Sequence, residues 1–203
     1  MREKADDQEL FRAFLHSTTT IFILIAALIY GTRVLVFLIL IDGTLELAKK
    51  ISKKARGFIY YSSYSPLSYV TRQEEKSDRD IHAALSGLCG MLAVKTLLPQ
   101  FLIPSVLTLA FADPLARIIG KRYGKKKILH TKKTFVGSGV FWLVAALILY
   151  LTGAPPLTAV SIGFIAALLE IFSWSKKRYV ILLQDNFLIP VGIAIGIFLT
   201  TLF

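Results

Sequence analysis

The sequence is poor in several features that would otherwise restrict or suggest a function. It has one cysteine, Cys89, among 203 residues, so it can form no internal disulfide and offers no cluster of thiolate metal ligands. It has no internal repeat and no low-complexity tract, so nothing in it indicates a repeat architecture. The first residues, MREKADDQEL, mix acids and bases, and no small-residue cleavage site follows a short apolar core. We therefore expect no cleaved signal peptide.

Acidic residues are also scarce, 13 against 24 lysines and arginines, which gives a formal net charge of +11. The basic residues are concentrated between apolar segments rather than spread along the chain. A basic excess in such positions indicates membrane topology and partners such as anionic lipid or phosphate. We expect no nucleic-acid binding.

Apolar residues are abundant, 55% of the chain, and the mean hydropathy is +0.62. They form blocks rather than the periodic stripes of a soluble domain. A helix needs about 20 such residues to cross a bilayer. We therefore predict an all-α, polytopic integral membrane protein with about seven transmembrane helices, built as one domain over residues 1–203. The blocks are Thr18–Tyr30, Val34–Ile41, Leu97–Phe111, Val140–Leu151, Leu157–Phe172 and Phe187–Phe203.

The loop charges predict one orientation in the membrane. The basic clusters Lys49–Arg56, Lys121–Lys133 and Lys176–Arg178 fall on one side of the predicted bundle, and loops rich in lysine and arginine face the cytoplasm. This places the N-terminus in the cytoplasm. We expect the cell membrane in a prokaryote or the endoplasmic reticulum in a eukaryote. The same side collects most of the notable polar residues: Arg12, His16, Glu46, Arg72, Glu75, Asp113, Lys132, Lys133, Glu170, Asp185 and Asn186.

The stretch from Ala112 to Gly139 combines an acid, glycines and clustered lysines at the end of an apolar block. Carboxylates hold hard cations such as Mg²⁺, and lysines act as point charges on phosphate oxygens. A helix that starts in glycine and serine offers N–H groups to an anion. The pattern thus suits a magnesium-bound polyphosphate. The simpler alternative is helix packing through Gly120 and Gly124, beside an ordinary cytoplasmic loop.

Four patterns in chain order resemble the motifs of one family of membrane enzymes. They are Arg12-x-x-x-His16, Arg72-x-x-Glu75, Asp113-x-x-Ala116-x-x-x-Gly120-x-x-x-Gly124 followed by Lys132-Lys133-Thr134-x-x-Gly137-Ser138, and Asp185-Asn186-x-x-x-Pro190 with Glu170 upstream. The third looks like the nucleotide motif shared by CTP-using lipid enzymes. The others are similar to patterns of the dolichol kinase, phytol kinase and CTP-dependent diacylglycerol kinase family, which is related to the phosphatidate cytidylyltransferases.

The resemblance implies CTP-dependent phosphorylation of a membrane lipid alcohol of polyprenol, phytol or diacylglycerol type, with Mg²⁺ as the cofactor. It implies Asp113, Asp185 and Lys133 as catalytic residues, and the two acids would hold Mg²⁺ or orient the attacking hydroxyl. The nucleotide would contact Gly120, Gly124, Lys132, Lys133, Thr134, Gly137 and Ser138. A secondary set would contact hydroxyl or ribose or support the site: Arg12, His16, Glu46, Arg72, Glu75, Glu170 and Asn186.

The chain departs from the family patterns at two positions. Val136 stands where a glutamate is usual, and Ala13 stands where a lysine is usual. The glycine- and histidine-rich signature of the cytidylyltransferases is absent after Ser175, which favours a kinase over a CDP-lipid synthase. That synthase is the alternative enzyme. A non-catalytic or transport membrane protein that binds an anionic solute is the alternative of another class. The lipid alcohol and a homodimeric assembly remain open.

Overall fold

A computed structural model describes residues 2–51, 83–128, 131, 133–172 and 184–202. Within them the chain forms seven α-helices: α1 Arg2–Tyr30, α2 Thr32–Ile51, α3 Ala83–Leu97, α4 Leu102–Tyr123, α5 Phe135–Leu151, α6 Pro156–Phe172 and α7 Asp185–Thr200. A turn of 3-10 helix, Pro99–Phe101, links α3 to α4. These residues contain no β-strand, only an isolated bridge between Lys127 and Thr134. The predicted all-α class is confirmed.

Two segments of the described chain, Glu9–Tyr30 and Pro99–Tyr123, are long and apolar enough to cross a membrane. The segments Ala84–Leu97, Phe135–Leu151, Pro156–Phe172 and Asp185–Thr200 are apolar but shorter. A helix of 17 residues such as α5 is about 25 Å long, against about 30 Å for a bilayer core. The structure thus gives two helices of spanning length, and the predicted count of about seven spans stays a prediction.

Helix α4 is the central element, in contact with α1, α5 and α7. Its buried apolar residues recur at intervals of three and four, which places them on one face of the helix. Many are small, so neighbouring helices approach closely. This face carries much of the hydrophobic core: Leu102, Val106, Leu109, Ala112 and Ala116.

Pro114 inside α4 explains how α1 docks onto it. Proline has no N–H, so the carbonyl of Ala110, four residues earlier, loses its helical hydrogen bond. The Ser17 hydroxyl on α1 donates to that carbonyl at 2.6 Å. The hydrogen bond satisfies this buried backbone acceptor and fixes the position of α1 along α4. It lies one turn of α4 from Asp113.

The other close approach is between α5 and α6. A Cβ added at Gly163 would lie 2.9 Å from the backbone nitrogen of Ala146, so only glycine fits there. The indole N–H of Trp142 donates to the Val160 carbonyl at 2.9 Å. Together these contacts fix the register of α6 on α5, which determines where Glu170 lies near the end of α6.

The two ends of the bundle are built differently. At one end, tight turns at Gly31 and Gly153 join consecutive helices, and both glycines have positive φ, 71° and 102°. Such angles are strained for residues with a side chain. The opposite end holds the hairpin-like segment between α4 and α5, in which Ile128 N–H donates to the Lys133 carbonyl at 2.9 Å. It is this segment that carries Lys133 toward the other helices.

Candidate functional site

Lys133 lies at the meeting point of three carboxylates from three different helices. Its Nζ forms an ion pair with Glu170 near the end of α6. It lies 3.6 Å from Oδ2 of Asp185, at the start of α7, and 4.0 Å from Oδ1 of Asp113, on α4. The cluster of Lys133, Asp113, Glu170 and Asp185 is hereafter called the Lys133 cluster. It joins residues that are far apart in the chain at one end of the bundle.

Asp113 is the most deeply buried acid of the cluster, at 2% exposure. Its Oδ2 accepts a hydrogen bond from Arg117, one turn later on α4, at 3.0 Å. Its Oδ1 has no hydrogen-bond partner within the described ranges, since Lys133 lies at 4.0 Å. A buried carboxylate oxygen without a hydrogen bond is costly. Asp113 therefore has a free coordination position facing the cluster.

Glu170 and Asp185 differ in their surroundings. Glu170 is 3% exposed and also accepts a hydrogen bond from the Ser138 hydroxyl at 3.4 Å. The side chain of Asp185 is 27% exposed, and its Oδ1 accepts from the N–H of Asn186 at 3.0 Å. Asn186 itself is buried beside Gly87 of α3. The cluster is thus dry on the Glu170 side and open to water on the Asp185 side.

The charges explain why Lys133 stays protonated. Burial by itself lowers the pKa of Lys133, but Asp113, Asp185 and Glu170 outweigh it and hold that pKa above the ordinary lysine value. In the described part of the chain, Lys133 and Arg117 form ion pairs with these acids, and the charge of Arg12 also acts on Asp113. Positive and negative groups are thus in close contact throughout the cluster.

The donor set suits Mg²⁺ only if Lys133 moves. Carboxylate oxygens are the ligands that Mg²⁺ prefers, and Oδ1 of Asp113 lacks a hydrogen bond within the described chain. In the described residues, however, no three His, Cys, Asp or Glu side chains already converge as a metal site. The lysine ammonium takes the central position instead. Asp113 and Asp185 could hold Mg²⁺ once Lys133 turns toward another anion.

The glycines of the predicted nucleotide motif lie where α4 packs on the start of α5. A Cβ at Gly120 would lie 2.8 Å from Oγ1 of Thr134, and a Cβ at Gly137 would lie 2.9 Å from the Ala116 carbonyl. A Cβ at Gly124 would collide with the Gly120 carbonyl and with Thr134. These glycines let two parts of this backbone approach each other. The geometry fits the helix-packing alternative for Gly120, Gly124 and Gly137.

The first turn of α5 is also largely satisfied by the chain itself. Thr134 caps the helix, and its Oγ1 accepts from the N–H of Gly137 at 3.1 Å. The N–H of Ser138 donates to the Thr134 carbonyl, and the N–H of Phe135 donates to the Lys126 carbonyl. The nucleotide contacts expected at Thr134, Gly137 and Ser138 stay a prediction, and an anion there would have to replace some of these bonds.

Several predicted site residues lie elsewhere or cannot be placed. Arg12 and His16 line a small groove between α1 and α4, next to Pro114 and Arg117. Glu46 belongs to α2, and its side chain lies outside the described part of the chain. Lys132, Arg72 and Glu75 also lie outside the described residues.

The sequence patterns missed two features of the site. Arg117, the hydrogen-bond partner of Asp113, lies four residues after it, and that spacing on a helix is a signal for an ion pair. The family resemblance implies a secondary role for Glu170, but in the structure Glu170 forms an ion pair directly with Lys133. No sequence signal identifies that pairing, because the two residues come from separate helices.

Comparison of the chain with protein-family models, with curated proteins and with solved structures gave no match. The resemblance to CTP-dependent lipid kinases therefore rests on the sequence patterns alone.

Proposed function

We propose that this chain is an integral membrane enzyme that transfers the γ-phosphate of CTP to a lipid alcohol at the cytoplasmic face. The observation that carries the proposal is the Lys133 cluster: one lysine held among three carboxylates at one end of an apolar helical bundle. Phosphoryl transfer needs positioned cations and metal-binding acids far more than covalent chemistry. The cluster offers one positioned cation, and its carboxylates are of the chemical type that binds Mg²⁺.

The outer surface of the bundle supports a membrane location. Large apolar side chains are strongly exposed on several helices, for example Phe22 and Ile29 on α1 and Leu143 on α5. Extended exposed apolar surface on a protein marks contact with lipid or with another protein. In the proposal, all seven helices lie within the bilayer region, some of them short or tilted, with the N-terminus and the Lys133 cluster on the cytoplasmic side. The membrane is the cell membrane or the endoplasmic reticulum.

The proposed roles follow from the geometry of the ligand-free cluster. Lys133 leaves Glu170 and binds the terminal phosphate oxygens of CTP. Asp113 and Asp185 would hold Mg²⁺, which when bound would supply positive charge to offset the charge of the phosphates. Arg117 orients Asp113 through its 3.0 Å hydrogen bond. Exposed Lys125, Lys126 and Lys127 attract the nucleotide to this end of the bundle.

Labelled CTP tests the proposal. Purified protein in lipid nanodiscs is incubated with Mg²⁺, a diacylglycerol, a polyprenol or phytol, and CTP labelled at either the γ- or the α-phosphorus. We expect γ-label in the lipid fraction and none of the α-label. Asp113→Asn protein prepared in the same way is the control, because any label that it transfers comes from contaminating kinases.

The other outcomes each point to a different function. Label from the α-phosphorus in lipid, with phosphatidate as the acceptor, would replace the kinase by a CDP-lipid synthase. Transfer of neither label, with any acceptor, would refute an enzymatic role and favour a non-catalytic or transport protein for an anionic solute.

A further inference from the structure

Three consecutive exposed lysines, Lys125, Lys126 and Lys127, lie between α4 and α5 and are hereafter called the lysine patch. Within the described ranges none of the three takes part in an ion pair. Lys121, four residues before Lys125, differs because it pairs with Glu9. The charge of the patch is therefore not compensated by the described chain, and such a patch attracts an anionic partner.

Backbone contacts hold the lysine patch beside the start of α5. The N–H of Phe135, the first residue of that helix, donates to the Lys126 carbonyl at 3.2 Å. Lys127 forms the isolated β-bridge with Thr134, the N-cap residue of α5. Ile128, which follows the three lysines, is buried. The patch is thus attached to the bundle next to the first turn of α5.

An apolar face of α5 leads away from that first turn. Its members are large, exposed and spaced at intervals of seven, four and three residues, which places them on one side of the helix: Val136, Leu143, Leu147 and Tyr150. The opposite side, which includes Phe141, Ala145 and Leu149, is buried against the bundle. The lysine patch therefore lies at one end of a long apolar surface.

Aromatic side chains lie between the lysine patch and this apolar face. Tyr123 ends α4 and is 61% exposed, and Phe135 begins α5 and is 63% exposed. Aromatic residues, tyrosine and tryptophan above all, are enriched where the hydrocarbon of a membrane meets the head groups. Cationic, aromatic and apolar groups thus follow one another in the order in which phosphates, interface and acyl chains follow one another in a leaflet.

We propose that the lysine patch and the outer face of α5 together bind an anionic phospholipid of the cytoplasmic leaflet. Its phosphate lies at the three lysines, and an acyl chain lies along α5. A zwitterionic phospholipid binds more weakly, because it carries a cation of its own beside the phosphate. A soluble anion would gain nothing from the apolar face. The inference rests on the membrane location proposed above and does not depend on phosphate transfer.

Quenching of tryptophan fluorescence by brominated lipid tests the proposal in a bilayer. The chain has two tryptophans, and Trp174→Phe leaves Trp142, which lies on α5 and is half-exposed. This protein is reconstituted, without nucleotide, into phosphatidylcholine vesicles. Part of the lipid is replaced by phosphatidylglycerol or by phosphatidylcholine with brominated acyl chains. The ratio of the two quenching constants gives the preference of this helix for anionic lipid.

The expected preference follows from the charge of the patch. A lysine near an anionic membrane surface contributes about fivefold to association, the equivalent of about 1 kcal/mol. We expect quenching to favour the anionic lipid by at least about fivefold, and the combined variant Lys125→Gln, Lys126→Gln and Lys127→Gln to show less than about a twofold preference. Arginine at the same three positions keeps the charge, so this matched control should keep the preference.

Four results would overturn the proposal. Equal quenching by the two lipids would show that this face does not select anionic lipid, and a preference that survives the glutamine variant would place the head group elsewhere. Loss of the preference when sodium phosphate replaces sodium chloride at equal ionic strength would make the patch a site for soluble phosphate. Quenching by neither lipid would refute the membrane location as well. A protein that fails only to transfer phosphate still shows the preference, so the two failures are distinguished.

Discussion

The two ends of the helical bundle share the same helices and differ in almost everything else. At one end the connections are short, with Gly31 and Gly153 in tight turns, and the charged residues of the described chain there are Arg33 and Lys95. At the other end, acids from α4, α6 and α7 surround Lys133. Folding alone does not require that asymmetry, because buried ion pairs can cost more in desolvation than they return. This difference is the reason why we propose a ligand-binding role for the charged end.

The largest expected effect is on the rate of γ-phosphate transfer, which should depend on the charged end of the bundle and not on the opposite end. Asp113→Asn keeps the shape of the side chain but removes the charge that would hold Mg²⁺. We expect γ-phosphate transfer to fall by at least about 100-fold, the loss of about 2.7 kcal/mol of transition-state stabilisation. Lys95→Ala, at the opposite end, should leave transfer unchanged. Equal rates in Asp113→Asn and wild type would remove Asp113 from the site.

The second effect concerns stability. Lys133→Met removes one partner of the buried ion pair with Glu170, a change that costs about 3–5 kcal/mol for a fully buried pair. The Lys133 side chain is 30% exposed, so we expect less, about 2–3 kcal/mol. Thermal unfolding should show the loss, and Glu170→Gln in the same protein should restore most of it. A Lys133→Met protein as stable as wild type would show that the pair is not formed in solution.

The same pair has a defined pH dependence. The pKa of Lys133 is raised in the folded protein by the three acids, against the opposing effect of burial. The stabilisation is therefore complete below the ordinary lysine range and is lost as the pH rises through the folded pKa. The stability difference between wild type and Lys133→Met should persist at neutral pH and narrow only above pH values of about 10.

A smaller effect tests whether the motif glycines serve packing. Gly137→Ala places a Cβ 2.9 Å from the Ala116 carbonyl, whereas a Cβ at Gly139, two residues later in α5, meets nothing within 4 Å. We expect Gly137→Ala to lower the free energy of unfolding by about 1–3 kcal/mol. Gly139→Ala should be neutral or stabilising by up to about 1 kcal/mol, since alanine favours the helix. Equal stabilities would contradict the close approach of α4 and α5.

The smallest effect is expected for the outer ion pair of the charged end. Lys121 on α4 and Glu9 on α1 form an ion pair, and the Lys121 side chain is 50% exposed. Exposed pairs contribute about 0–1 kcal/mol. Glu9→Gln should therefore change the unfolding midpoint very little. A large loss would mean that this pair holds α1 in place and that Ser17 does not.

Much of the fold follows from local features of the sequence. Apolar blocks predicted where the helices lie, and the breaks at Gly31, Pro99 and Gly153 each coincide with a turn or a short connection between helices. These signals work because helix formation and termination depend on neighbouring residues. The number of membrane spans does not follow in the same way, since several helices are shorter than a bilayer requires.

The candidate site could be predicted only in part. The sequence motifs point to Asp113, Lys133 and Asp185, and the structure places both acids within 4.0 Å of the Lys133 ammonium group. The pairing of Lys133 with Glu170, and the packing role of Gly120 and Gly137, depend on which helices become neighbours. Spacing along the chain contains no such information. The hydrogen bond from Ser17 to the Ala110 carbonyl, which Pro114 leaves without a helical partner, is another contact that spacing along the chain does not predict.

Binding of Mg²⁺-CTP tests the central claim most directly. The proteins compared are wild type, Lys95→Ala, and the double variant Lys133→Met with Glu170→Gln, which keeps the net charge of the cluster. Removing the negative charge of Glu170 should by itself strengthen the binding of the anionic CTP. Any loss of CTP affinity in the double variant is therefore due to Lys133. We predict that the double variant binds CTP at least about tenfold more weakly, about 1.4 kcal/mol, with an unfolding temperature close to that of wild type, and that Lys95→Ala binds like wild type. CTP binding of equal strength in all three proteins, or none in wild type, would contradict the account.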